Sequence, residues 1–335
     1  MKFSFKHIAR AGIVIFSFLS LTACSDSPGG PANGLQASPN DAPTAFDGSY
    51  TISDAVSDGV TFAPLSAAIV RGYGKYRTSA LMSDENSSYV KSVSFDPETS
   101  GAKTEFVVDG NVLAIEFDRS HADGRAFEGR IQDGYFILWS DTGSINLGDI
   151  DFSNSEYRFF ERGGFFAGLD ADNAKSYLGR VVYGLRTEPT GLPSGTATYS
   201  GDFLGRWHHA KVISNALDRG YTLGELTLTA DFSESEITGQ VDNLRNSATR
   251  SGSGEPLPDG SVILIDAISF DDGQFNASMT GFAPAADVAY GVGGFHGELL
   301  GEFYGPAAEE VGGVFVGSRS TDGTVWEGHF GGKKN

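Results

Sequence analysis

The sequence predicts an all-β protein, a β-rich N-terminal domain followed by a soluble eight-stranded antiparallel up-and-down β-barrel. Three observations predict it. Apolar residues recur at a period of two in many short runs, the pattern of strands with one buried face. Asp-Gly pairs at Asp109-Gly110, Asp133-Gly134, Asp272-Gly273 and Asp322-Gly323 separate such runs, as in tight hairpins. Glycine also shares a face with bulky side chains: in GEFYGPAAEEVGGVFVGS (Gly301 to Ser318), Val311, Gly313, Phe315 and Gly317 fall on one side. Glycine weakens a flat sheet, but the narrow interior of a small closed barrel is filled by alternating small and large side chains.

The N-terminus reads as an address. Lys2, Lys6 and Arg10 precede an apolar stretch, Ala11 to Leu21, too short to span a bilayer. Leu21-Thr22-Ala23-Cys24 resembles a lipobox, so residues 1–23 are expected to be a lipoprotein signal peptide and Cys24, the sole cysteine, the lipidated residue. Several acyl chains would anchor it stably, and Ser25 after the cysteine implies the outer membrane. Residues 24–45, rich in proline, glycine and small polar residues, read as a flexible tether. With the cysteine lipidated, no disulfide supports the fold. The net charge of −19 becomes three units more negative once the leader is cut. Such a surface disfavours nucleic acid and anionic lipid and can steer a basic partner.

Residues 46–190 are expected to form the first domain, with hairpins over Thr104 to Phe117 and Phe127 to Trp139 and short helical turns over Ala171 to Leu178 and Val212 to Arg219. Two prolines and a glycine between Thr187 and Pro193 mark a connector. Residues 191–335 then offer eight strands: Thr196–Leu204, Leu223–Phe232, Glu236–Asp242, Val262–Ser269, Gln274–Gly281, Gly294–Phe303, Val311–Gly317 and Thr324–Phe330. One face carries Tyr199, Gly201 and Phe203, and likewise Trp326, Gly328 and Phe330; the other carries Glu225, Thr227, His296, Glu298 and Glu302. An apolar inside and a polar outside are the reverse of a membrane barrel.

The second half also resembles a known family. Gly195 to Gly201, Leu226 to Phe232 with Ile237-Thr238-Gly239, and Gly301 to Pro306 followed by Glu309, Gly312, Gly313 and Phe315 are similar to the β-barrel domain of transferrin-binding protein B and its relatives. Tyr183-Gly184 and Thr187 resemble that family's domain junction. The resemblance covers about residues 180–335. It implies a handle domain before the barrel, in position only. Transferrin-binding protein B carries two lobes, whereas this chain has length for one. The resemblance implies a surface lipoprotein that captures transferrin, lactoferrin, complement factor H or haem, often beside a TonB-dependent outer-membrane receptor.

Loop lengths point to a binding face. In an up-and-down barrel alternate connections share a rim, and the long ones, Gly205 to Thr222, Asn243 to Ser261 and Phe282 to Gly293, fall at the same end. Their candidate ligand-binding residues are Arg206, Trp207, His208, His209, Phe282 and Tyr290, since aromatics and arginine serve as interface anchors. Trp207 could instead plug the barrel mouth. No nucleophile elbow, phosphate loop or zinc-protease motif is present. Glu298 and Glu302, read as exposed, lie about 13 Å apart on a strand, too far for paired-carboxylate chemistry. An enzyme is not expected. No metal is expected either, because Asp170-Ala171-Asp172-Asn173 lacks the glycine and distal glutamate of a calcium loop. The expected function is that of a lipid-anchored outer-membrane protein, exposed at the cell surface, that captures an extracellular or host protein or an iron- or haem-bearing ligand. The alternatives are haem binding through His208, His209, His296 and His329, or an adhesin or complement-regulator-binding role. No other cofactor is implied.

Overall fold

The computed structural model describes residues 48–72, 75–78, 88–96, 101–120, 126–141, 144–146, 149–151, 155–170, 175–208, 219–248, 254–283 and 292–335. Cys24, His209 and Tyr290, with the leader and the tether, lie outside the described residues.

Thr51 opens a helix, α1 (Ile52–Ser57), through a capping box with Asp54, a signal the period-two reading passed over. Ten strands follow in one antiparallel sheet: β1 (Thr61–Phe62), β2 (Leu65–Gly72), β3 (Lys75–Thr78), β4 (Tyr89–Asp96), β5 (Gly101–Val108), β6 (Asn111–Ser120), β7 (Ala126–Ile131), β8 (Gly134–Ser140), β11 (Phe160–Gly168) and β12 (Lys175–Gly184). The short strands β9 (Ser144–Asn146) and β10 (Asp149–Asp151) pair only with each other. The sheet order is β1-β4-β5-β6-β7-β8-β11-β12-β2-β3. Although β1 and β12 stand far apart in that order, the rings of Phe62 and Tyr183 meet at 5.5 Å. The sheet therefore curls into a half-barrel around an aromatic core that includes Phe95, Phe106, Phe127, Phe136 and Phe165.

The two hairpins expected in this half are present as β5–β6 and β7–β8. Asp109 and Gly110 turn the first with φ of 48° and 76°, the left-handed pair that matches strand twist. The second turns one residue earlier than expected: Gln132 takes φ 50°, and Gly134 already begins β8, where a side chain would strike the backbone of Gly168. The helical reading of Ala171 to Leu178 is corrected, because β12 starts at Lys175 and pairs with both β11 and β2. The period-two pattern Tyr177, Gly179, Val181, Tyr183 overrides the short helical one.

After a 3-10 turn at Pro189–Gly191, the barrel strands are β13 (Thr196–His208), β14 (Arg219–Asp231), β15 (Glu236–Ser247), β17 (Val262–Ser269), β18 (Gln274–Phe282), β19 (Phe295–Tyr304), β20 (Glu310–Arg319) and β21 (Val325–Lys334). Two residues, β16 (Glu255–Pro256), flank β15. The order β14-β13-β21-β20-β19-β18-β17-β15 is closed by pairing of β14 with β15, giving an eight-stranded antiparallel barrel. Its interior is made of interlocked glycines and rings. The space a side chain would need at Gly301 is taken by Phe275, at Gly313 by Phe330, at Gly317 by Phe295 and at Gly328 by Phe315. Phe203 stacks on Phe315 with centroids 4.4 Å apart.

The stretch Phe303 to Glu309 also holds the connector. Thr187 donates from its backbone to Phe303 and from its hydroxyl to Gly305, while Gly305 donates back to Leu185. Gly305 has φ 89°, which explains why the alternation stops there. The barrel's outer wall at β19 and β20 then packs under the curled sheet, and Leu300, Tyr304, Val314 and Val316 join the core of the first half.

Candidate ligand-binding rim and the interface beneath it

Strand direction places the barrel's connections. The strand ends His208, Arg219, Ser247, Val262, Phe282 and Phe295, which flank the three long connections in sequence, sit at one rim. Residues 232–235 and 270–273 make the tight turns at the other.

Three of the six predicted anchors sit on a strand rather than in a loop. Arg206, Trp207 and His208 belong to strand β13, not to the loop, because Trp207 pairs with Gly220 on one side and Trp326 on the other. Trp207 points inward, 4% exposed, with its indole filling the space left at Gly220. It is a plug of the barrel mouth and offers no surface to a ligand. His208 points outward but is sealed at 1% exposure beneath the first sheet, and His329 is equally buried. Neither can reach a haem iron; His296 is exposed. Arg206 lies over the Tyr221 ring, 5.9 Å from its centroid. Phe282, at the end of β18, is 51% exposed and stands at the rim.

Beneath the rim, outward-facing charges of β13 and β21 meet the curled sheet in a buried network that sequence reading missed. Arg180 of β12 bonds Glu327 at 2.6 Å, both almost fully buried. His208 Nε2 approaches the other Glu327 oxygen at 3.9 Å. Asp141 lies 2.5 Å from His329. Arg162 gives 2.8 Å bonds to both Asp202 oxygens, and the Tyr157 hydroxyl donates to the same carboxylate. Burial pushes the Glu327 carboxyl up, but Arg180, His208 and Arg206 together hold it below the usual range. Burial opposes the ionised form of Asp202 too, and the Arg162 guanidinium prevails there. Burial drives His329 down to about 4 against the pull of Asp141.

Glu302 corrects the exposed-acid reading: it is 4% exposed, paired with Arg186 at 2.9 Å and bonded by Gln274. Burial raises its carboxyl above the ordinary value even so. Glu310 accepts the backbone N–H groups of Arg158 and Phe159, both at 2.9 Å. These contacts tie the curled sheet and the connector to the barrel wall.

Residues 192–334 match the family described as the C-lobe and N-lobe beta barrels of Tf-binding protein B. That match spans the whole closed barrel of this chain, from the connector to the last strand. Among solved structures it is similar to a double mutant of the vaccine antigen transferrin binding protein B from Haemophilus parasuis, at 13% identity and a TM-score of 0.41, over 81% of this chain and 45% of that one. The isotype 1 transferrin binding protein B of serogroup B Neisseria meningitidis gives 15% identity and a TM-score of 0.38, over 81% and 43%. The chain thus spans under half the length of these Tf-binding proteins. No curated protein matches it. The family's barrel motifs in this chain, such as Gly301 to Pro306, are core and turn positions and carry the fold.

Proposed function

We propose that this protein is a lipid-anchored binding protein of the outer membrane that captures an extracellular host protein at the cell surface, without catalysis, and presents it to a TonB-dependent receptor. The observation that carries the reading is the match of the barrel to Tf-binding protein B, with the strand ends that flank its three long connections at one rim. In this reading residues 1–23 are removed, Cys24 carries the lipid, and residues 24–45 let the body extend from the membrane. The half-barrel handle packs on the barrel wall and supports the strand ends at that rim. Transferrin is the first candidate, since the family that matches the barrel is described by Tf-binding protein B.

The test uses the lipid-free body against iron-loaded and iron-free transferrins and lactoferrin from several hosts. Saturable capture of at least one, with an on-rate that falls as salt rises, is expected. A body that binds none of them overturns transferrin-type capture. Protease cleavage in intact cells, and loss of lipid labelling in Cys24→Ala, test surface display and anchoring. Protection of the body from protease places it in the periplasm and ends the surface reading.

A further inference from the structure

Among the described residues three large apolar side chains are conspicuously exposed, and two of them lie diagonally across neighbouring strands: Leu264, 38% exposed, and Phe282, 51% exposed. They lie on the neighbouring strands β17 and β18, where Val262 pairs with Phe282 and Leu264 with Thr280, so Val262, Leu264 and Phe282 share the outer face. Across the other edge of β17, Leu264 pairs with Gln240 of β15. Gln240 and Val262 both line a groove of about 560 Å³ between β14, β15 and the segment Pro256 to Ser261. The apolar strip and the groove are therefore one continuous surface on the barrel wall.

The groove is built rather than collapsed. Leu257 is 8% exposed and donates its backbone N–H to Leu244, which pins the segment to β15. Ser261 closes the turn on Pro258 through its backbone, with Gly260 at φ 84°, while its buried hydroxyl has no hydrogen-bond partner among the described residues. Among the described residues the polar lining includes three carboxylates, Glu225, Asp242 and Asp259, against one cation, Arg245. Asn243 donates to Glu225 and Gln240 to Asp242, which orients these groups without neutralising them.

We propose that this wall is a docking surface for a basic segment of a protein partner, whose bulky apolar side chains cover Leu264 and Phe282 while flanking lysines or arginines enter the carboxylate groove. Charge selects this occupant. A second copy carries the same net −19 and would bring carboxylate against carboxylate. An anionic membrane surface is repelled for the same reason. A neutral apolar ligand would leave the three acids without counter-charges. The assignment rests on the protein-capture reading and names the chemistry of what is captured.

The probe is a short fluorescein-labelled peptide in which leucine and phenylalanine alternate with lysine, together with its glutamate-for-lysine twin, titrated into the lipid-free body and read by anisotropy. Saturable binding of the basic peptide alone is expected, weakened about tenfold or more in L264S/F282S and made less salt-sensitive in E225Q/D242N. Leu264, Phe282 and Glu225 are exposed and Asp242 is half-buried, and unchanged thermal melting verifies that both double variants fold. Equal binding by L264S/F282S, or by the acidic twin, overturns the proposal. So does concentration-dependent dimerisation, or binding to anionic vesicles, that L264S/F282S abolishes. The transferrin panel separates the two readings. Capture that L264S/F282S leaves intact rejects this wall and spares capture, whereas failure of the wild type there rejects capture and leaves the peptide titration to decide the wall.

Discussion

At Arg180 and Glu327 two charges meet out of water, each with more to lose than the pair gains. Removing one partner leaves the other uncompensated in a dry interface. Glu327→Leu or Arg180→Met alone is expected to cost about 3–5 kcal/mol, while the two replacements together cost less than either single change. Urea unfolding of the four proteins gives the cycle, and a double variant no better than the worse single one would refute the account. Glycine packing is equally local. Gly301→Ala drives a methyl into the Phe275 ring, whereas Gly332→Ala meets neighbours only at 3.4 Å. The first is expected to destabilise by about 1–3 kcal/mol and the second by clearly less, read as denaturation midpoints; equal losses would remove the interlocked interior as the reason for glycine here.

At the scale of an element, hairpin turns and strand ends obey different rules. Gly110 holds φ 76° at the tip of β5–β6, so Gly110→Ala is expected to lose about 1 kcal/mol, the price of a left-handed residue with a Cβ. An unchanged urea midpoint would place that turn elsewhere. Turn chemistry was readable from Asp-Gly. Strand ends were not: β13 runs to His208 because β21 and β14 continue to supply partners beside it, information that lies about a hundred residues downstream. The motif Arg206-Trp207-His208 thus reads as a loop in isolation and as paired strand in context. The capping box at Thr51 and Asp54 was legible and was outweighed by the surrounding period-two pattern.

For the whole molecule the buried interface couples the curled sheet to the barrel and links both to pH. His329 faces Asp141, Arg162 and Arg180, and its folded-state value of about 4 lies below the ordinary 6.5. Between those values the unfolded chain takes up a proton that the folded one refuses, so stability is fully present above pH 6.5 and falls as pH drops toward 4. The loss is on the order of 3 kcal/mol. The depressed carboxylates Asp202 and Glu327 add to the loss at lower pH still, as the folded state is forced to protonate them. Thermal melts from pH 7 to 4 are expected to show a declining midpoint, flattened in His329→Asn; an equal slope in that variant would clear His329 of the effect.

By itself the sequence determined that the chain is built of strands, that Asp-Gly pairs fold them back, and that glycine beside phenylalanine closes the second half into a filled barrel. Those properties repeat every two residues or sit within one turn, so short windows contain them. Tertiary structure alone decided which outward faces remain outside. Glu302, His208, Glu327 and His329 occupy polar-face positions on their strands and are nevertheless buried, because the curled sheet lies over β13, β19, β20 and β21. Leu264 and Phe282 lie on strands that this sheet does not cover and stay exposed. Alternation tells which side of a strand a residue takes; only the packing of one sheet on another tells whether that side meets water.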